Sequence, residues 1–196
     1  MRSALLTALL AAAPVALAQQ QLPPGGWVGD SRGCKVWSAA PEANEPVSWS
    51  GACIAGYAYG RGVLQWSDGG KAGERYEGEM KQGKRDGRGV QIWSNGDRYE
   101  GEFRDGKANG RGTFSFASGE RYVGQFKDGA LSGHGTMTFA DGGSYEGEWR
   151  ADKPNGLGTK REAGGGSVFK GTWKNGCFHQ GDKRAWVGVT EKNCGF

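Results

Sequence analysis

The chain is poor in the residues on which catalysis and metal binding depend. Its two histidines, His134 and His179, stand far apart, and neither has a Ser or Cys placed around it as in a triad. No Cys-x-x-Cys occurs among the four cysteines, so the usual zinc spacings are missing. A G-x-S-x-G elbow, a Walker loop, an H-E-x-x-H helix and an EF-hand loop are all absent. Gly-x-Gly fragments recur, but no helix follows them as dinucleotide binding requires. No catalytic residue, metal or cofactor is therefore expected, and the protein is read as a non-enzyme. Charge of one sign is also missing. Lys and Arg number 25 against 21 Asp and Glu, a formal +4 to which Arg2 contributes one. That balance carries no nucleic-acid footprint. After the first 18 residues no apolar run is long enough to span a bilayer.

Glycine and aromatic rings are what the sequence has in quantity, and they are periodic. Tyr76-Glu77-Gly78-Glu79-Met80 recurs as Tyr99-Glu100-Gly101-Glu102-Phe103, then as Tyr122-Val123-Gly124-Gln125-Phe126 and Tyr145-Glu146-Gly147-Glu148-Trp149. A last copy reads Phe169-Lys170-Gly171-Thr172-Trp173. The leading rings fall every 23 residues, with one step of 24, a period that belongs to repeat architectures. A second half keeps step: Gly87-Arg88-Gly89 before Trp93, Gly110-Arg111-Gly112 before Phe114 and Phe116, Gly133-His134-Gly135 before Met137 and Phe139. Turn signals such as Asp105-Gly106, Asp128-Gly129 and Asn95-Gly96 separate the halves, so each repeat reads as one β-hairpin.

Alternation along a strand sorts the side chains. Tyr99, Gly101, Phe103, Gly110, Gly112, Phe114 and Phe116 share one face. Glu100, Glu102, Arg111, Thr113 and Ser115 share the other. In-register glycines in strands imply close approach of another group, here the neighbouring rings. The repeated acids Glu77/Glu79, Glu100/Glu102 and Glu146/Glu148 are expected to pair across strands with Arg88 and Arg111, and His134 to sit solvated on the polar face.

These copies resemble the MORN repeat (membrane occupation and recognition nexus), with its Tyr-x-Gly-x-aromatic opening and following Gly-x-Gly. The resemblance covers roughly residues 49–181. It implies an all-β fold, an elongated single-layer antiparallel meander of hairpins. It further implies a non-catalytic scaffold or binding module, with links in some relatives to membranes or self-association.

In chain order, residues 1–18 read as a secretory signal peptide: Arg2, an apolar run from Ala4 to Leu17, and Ala16-Leu17-Ala18 as the cleavage site. No cysteine follows that site, which argues against a bacterial lipid anchor. A periplasmic or secreted location follows. Residues 19–48 form a lead-in and N-terminal cap. Residues 49–75 form a divergent first repeat, with Trp49 in the tyrosine slot and about four extra linker residues. Residues 76–174 form the regular array, whose aromatic face fades at Lys160 and Glu162. Residues 175–196 form a C-terminal cap with a strand at 185–189. In an exported chain an even cysteine count implies disulfides. Of three connectivities the local one is expected, Cys34–Cys53 and Cys177–Cys194, because each pair lies within one cap. Each closure is worth nominally ~3 kcal/mol.

Two features are candidate binding surfaces. With no second layer to cover it, the aromatic face is expected to form a shallow concave groove for a protein segment, contacted by Trp93, Tyr99, Phe116, Tyr122, Phe139 and Tyr145. The alternative is a basic stripe of one cation per hairpin turn, Lys81, Arg104, Lys127, Arg150 and Lys174, spaced ~10 Å apart by two strands of ~4.8 Å. Such a stripe would take anionic membrane lipid or an envelope polymer. A second copy of the chain is a further partner to consider.

Overall fold

The computed structural model describes residues 25–39, 46–68 and 70–195. Residues 1–18, read above as a signal peptide, and most of the lead-in lie outside the described residues. The strands are β1 (Gly26–Gly29), β2 (Lys35–Ser38), β3 (Val47–Trp49), β4 (Ala52–Ile54), β5 (Tyr57–Asp68), β6 (Lys71–Lys81), β7 (Lys84–Ile92) and β8 (Arg98–Arg104). They continue with β9 (Lys107–Ser115), β10 (Arg121–Lys127), β11 (Ala130–Thr138), β12 (Ser144–Arg150), β13 (Lys153–Arg161), β14 (Val168–Lys174), β15 (Cys177–Gln180) and β16 (Lys183–Trp186). From β5 to β16 each strand pairs with the next, giving one long open antiparallel meander. The exception to antiparallel pairing is β2, which meets β5 in parallel at Lys35 and Tyr57.

Turn chemistry fixes the register. On one edge the two-residue turns Gln82-Gly83, Asp105-Gly106, Asp128-Gly129, Ala151-Asp152 and Asn175-Gly176 hold both residues at positive φ. This is the twist-matched hairpin turn. Their neighbours stand directly opposite, as Lys81 does to Lys84 and Arg104 to Lys107. Each turn also bonds to the hairpin before it: Gly106 N–H donates to Arg85 O and Gly129 N–H to Ala108 O. On the other edge, longer loops end in a left-handed glycine, as where Gly96 N–H donates to Trp93 O.

The caps follow the expected local closures, Cys34–Cys53 and Cys177–Cys194. Two details differ from the sequence reading. The extra residues after Asp68 do not form a looped linker; they lengthen β5 and β6, which stay paired out to Ser67 and Ala72 and to Asp68 and Lys71. The last strand lies at Lys183–Trp186 rather than 185–189, because Val187 N–H is already committed to Gly176 O. A short 3-10 turn over Glu191–Cys194, boxed by Thr190 and Asn193, then brings Cys194 back to Cys177.

Candidate functional site

One row of residues organises both faces. Gly62, Gly78, Gly89, Gly101, Gly112, Gly124, Gly135, Gly147, Gly158 and Gly171 pair with one another in unbroken succession from β5 to β14. The result is a side-chain-free line running across the strands.

On the aromatic side of this line each tyrosine lies back over two glycines. A Cβ on Gly112 would stand 2.6 Å from Tyr99 Cε2, and one on Gly101 would stand 2.5 Å from its hydroxyl. The Tyr99 hydroxyl then donates to Glu102 O at 2.9 Å. Tyr76, Tyr122 and Tyr145 repeat the bond to Glu79 O, Gln125 O and Glu148 O. Trp49 makes the same three-residue reach, its Nε1 donating to Ala52 O at 2.9 Å, so the divergent repeat keeps the geometry with another ring. Between tyrosines stand the closing aromatics. Edge-to-face contacts run Tyr76–Phe103–Tyr99–Phe126–Tyr122–Trp149–Tyr145–Trp173, with centroids 4.9 to 5.4 Å apart. This ladder is the core, and burial pushes all four tyrosine hydroxyls well above their ordinary pKa.

The ladder divides the six residues expected to contact a partner. Tyr99, Tyr122 and Tyr145 are 1 %, 0 % and 0 % exposed and present no surface to a partner. They are rungs of the core, because glycine at the next inward-facing position lets the ring lie flat. Trp93, Phe116 and Phe139 are half-buried against the ladder's flank, with Phe114 stacked between Trp93 and Phe116 at 5.3 and 4.5 Å. Sequence reasoning missed a polar cluster in this face. Arg85 Nη1 donates to the buried Gln91 Oε1 at 2.6 Å, and its guanidinium lies 5.7 Å from the Phe103 ring centre. Gln91 in turn donates to Glu74. Register could have revealed it, since Arg85 and Gln91 stand where Ala108 and Phe114 stand one repeat later.

A hollow lies on the polar face, across the sheet from the aromatic surface expected to bind. A trough of about 740 Å³ runs across β5 to β11 on the polar side. Gly89, Gly101, Gly112, Gly124 and Gly135 line it as floor; Arg61, Arg88, Arg111 and His134 stand on one flank, and Val90, Thr113, Val123 and Thr136 on the other. The pleat explains its floor. A Cβ at these positions would point at the tyrosine rings on the other face, so on the polar side the line shows bare backbone between two rows of side chains.

The charges around the trough are arranged unequally. Glu77 and Glu100 pair with Arg75 and Arg98 on their own strands at 2.7 and 2.6 Å, rather than across to Arg88 or Arg111. Glu79 and Glu102 accept the backbone N–H groups of Arg88 and Arg111 at 3.3 and 3.4 Å. Each carboxylate sits in the notch over a positive-φ glycine, where a Cβ on Gly87 or Gly110 would meet it at 2.7 or 2.6 Å. Among the described residues, the guanidinium groups of Arg61, Arg88 and Arg111 make no ion pair or side-chain hydrogen bond. His134 is exposed on the same row, within 3.4 Å of Glu148 and 3.8 Å of Glu146.

The basic stripe is present and exposed at Lys81, Arg104, Lys127, Arg150 and Lys174. It is denser than expected, because Lys84, Lys107 and Lys153 stand directly opposite Lys81, Arg104 and Arg150. Lys84 is partly neutralised by Asp105 at 3.3 Å, and Arg104 donates to Asn109.

A comparison with curated proteins finds no match. The MORN repeat profile matches residues 60–71, 76–98, 99–121, 122–144 and 145–166, just over half of the chain. Those segments carry Tyr76, Tyr99, Tyr122 and Tyr145 and the glycines beneath them, and the chain belongs to the MORN repeat family.

Proposed function

We propose that the protein is an exported, non-catalytic scaffold that holds an extended segment of a partner protein in the polar trough. MORN repeats in general suggest a protein- or lipid-binding module. The observation that carries the finer reading is the row of unpaired guanidinium groups at Arg61, Arg88 and Arg111 beside a glycine floor. Unpaired cations above a bare backbone are a poor way to stabilise a sheet and a good way to recognise a ligand. The two disulfides suit an oxidising compartment outside the cytoplasm. A photo-crosslinking residue placed at Thr113, in the trough, should capture the partner, whereas one at Phe116, on the aromatic flank, should not. Capture at Phe116 alone would return the site to the aromatic face, with Trp93, Phe116 and Phe139 as its reachable rings.

A second reading is supported by the turn edge. Like charges placed opposite each other across a hairpin are destabilising, yet Lys81 faces Lys84 and Arg104 faces Lys107. An anionic lipid surface or envelope polymer would relieve that repulsion. Flotation with anionic vesicles at low and physiological salt tests it, since screened contacts fade within ~8 Å at the higher ionic strength.

A further inference from the structure

We propose that the trough takes a polyproline-II segment of the partner bearing a carboxylate at every third residue. This rests on the trough being the binding site, and it deepens that reading by naming the ligand's conformation and charge pattern.

The spacing argues for it. Arg61, Arg88 and Arg111 each directly precede a glycine of the paired line, Gly62, Gly89 and Gly112, on β5, β7 and β9. Successive arginines are therefore two strands apart, ~9.6 Å at a strand spacing of ~4.8 Å. A polyproline-II helix has three residues per turn and rises ~3.1 Å per residue, so every third side chain leaves from one side at ~9.3 Å intervals. Three carboxylates on such a segment meet three guanidinium groups with a mismatch of well under 1 Å over the row. An extended strand repeats its side chains on one face every ~6.8 Å and falls out of step at the second arginine. An α-helix returns a side chain to one face after seven residues, ~10.5 Å, and slips by about 2 Å and 40° over the same row.

The electrostatics select sign. The carboxylates near the trough are already engaged: Glu79 and Glu102 in their glycine notches, Glu77 and Glu100 by Arg75 and Arg98. Glu77, Glu100 and Glu102 line the trough as engaged carboxylates. The charged side chains there without a partner are those of Arg61, Arg88 and Arg111, and guanidinium is the group best shaped to grip carboxylate with two parallel bonds. The opposite flank offers Val90 and Val123, the latter 43 % exposed, as apolar surface for the proline rings. Floor N–H groups are spent in strand pairing. A segment whose own backbone needs no ladder partner therefore fits better than one that adds a strand.

The test uses the mature full-length protein and four fluorescein-labelled probes, read by anisotropy. The first is a peptide of four Pro-Pro-Glu units; the second has the same composition with its glutamates grouped at one end. The third is a strand-forming peptide of alternating Glu and Thr, and the fourth a polyuronate oligosaccharide. The first should bind at least tenfold more tightly than the second and third. Arg88→Gln with Arg111→Gln should abolish that binding while leaving the melting temperature within about 2 °C, because neither guanidinium makes an ion pair or side-chain hydrogen bond and no like charge is placed opposite Glu102. Equal binding of the first and second peptides, abolished by the arginine variants, would leave the trough as a site and overturn the spacing. Tighter binding of the third peptide or the polyuronate would also overturn it. No binding of any probe, or binding indifferent to the arginine changes, would overturn both this inference and the trough reading.

Discussion

Tyr99 shows how much one residue does in this sheet. Its ring covers Gly101 and Gly112, its edge meets Phe103 and Phe126, and its hydroxyl holds Glu102 O. The ring has nowhere to move, so Gly112→Ala puts a methyl 2.6 Å from it without altering an allowed backbone angle. Overpacking of that kind costs about 1–3 kcal/mol, and thermal melts should show the loss. Tyr99→Phe removes the hydrogen bond but keeps the ring, so its expected cost is smaller, about 1 kcal/mol. If Gly112→Ala melted like the wild type, the ring could not be the reason for the glycine. A different strain sits at Ala151, which holds φ 47° in a turn whose counterparts include Asp105 and Asn175. Replacing it with Gly should raise the melting temperature, since a left-handed non-glycine residue costs roughly 1–2 kcal/mol.

At the scale of elements, hairpins and caps answer to different forces. The hairpins were legible in the sequence because Asp105-Gly106, Asp128-Gly129 and the tyrosine-glycine spacing are local instructions that need no knowledge of the rest. The disulfides were legible too, since Cys34 and Cys53, and Cys177 and Cys194, each stand 19 and 17 residues apart within their own ends. The hollow face was not legible. It lies between the row of Arg88 and Arg111 and the row of Val90 and Thr113, and its shape depends on how those side chains lean, which alternation cannot specify. Nor does alternation reveal that the carboxylates of Glu79 and Glu102 fold down onto Gly87 and Gly110 and leave Arg88 and Arg111 free. The caps offer a test of their own. Cys177→Ser with Cys194→Ser should lose a nominal ~3 kcal/mol of chain-entropy stabilisation. In a stacked array that loss should appear first as faster amide exchange in β15 and β16, while β8 to β11 keep their protection. Uniform exchange along the sheet would mean that the array melts as one unit and the cap is not a cap.

For the whole molecule, four buried phenols impose a limit at high pH. Their folded pKa values lie above the ordinary 10.0 because burial disfavours phenolate. A raised pKa means that the stabilisation is complete below about pH 10 and is withdrawn as pH climbs toward the folded values. The expected result is a steep, cooperative alkaline unfolding, in which phenolate absorbance and loss of β circular dichroism rise together above pH 10. Phenolate appearing well before the sheet is lost would show that the hydroxyls are reachable from solvent. The glycine line has a last consequence, and it is mechanical. From β5 to β14 it runs along the length of the molecule, and tyrosine rings lie across it with their hydroxyls tied to carbonyls on the far side. Such a strip is a splint. Folding the sheet along the line would pull each ring from its glycines, so the margin carrying cations and the margin carrying the longer loops keep a fixed attitude. A cargo laid in the trough would meet a surface already set, and the grip would be shared along the whole spine.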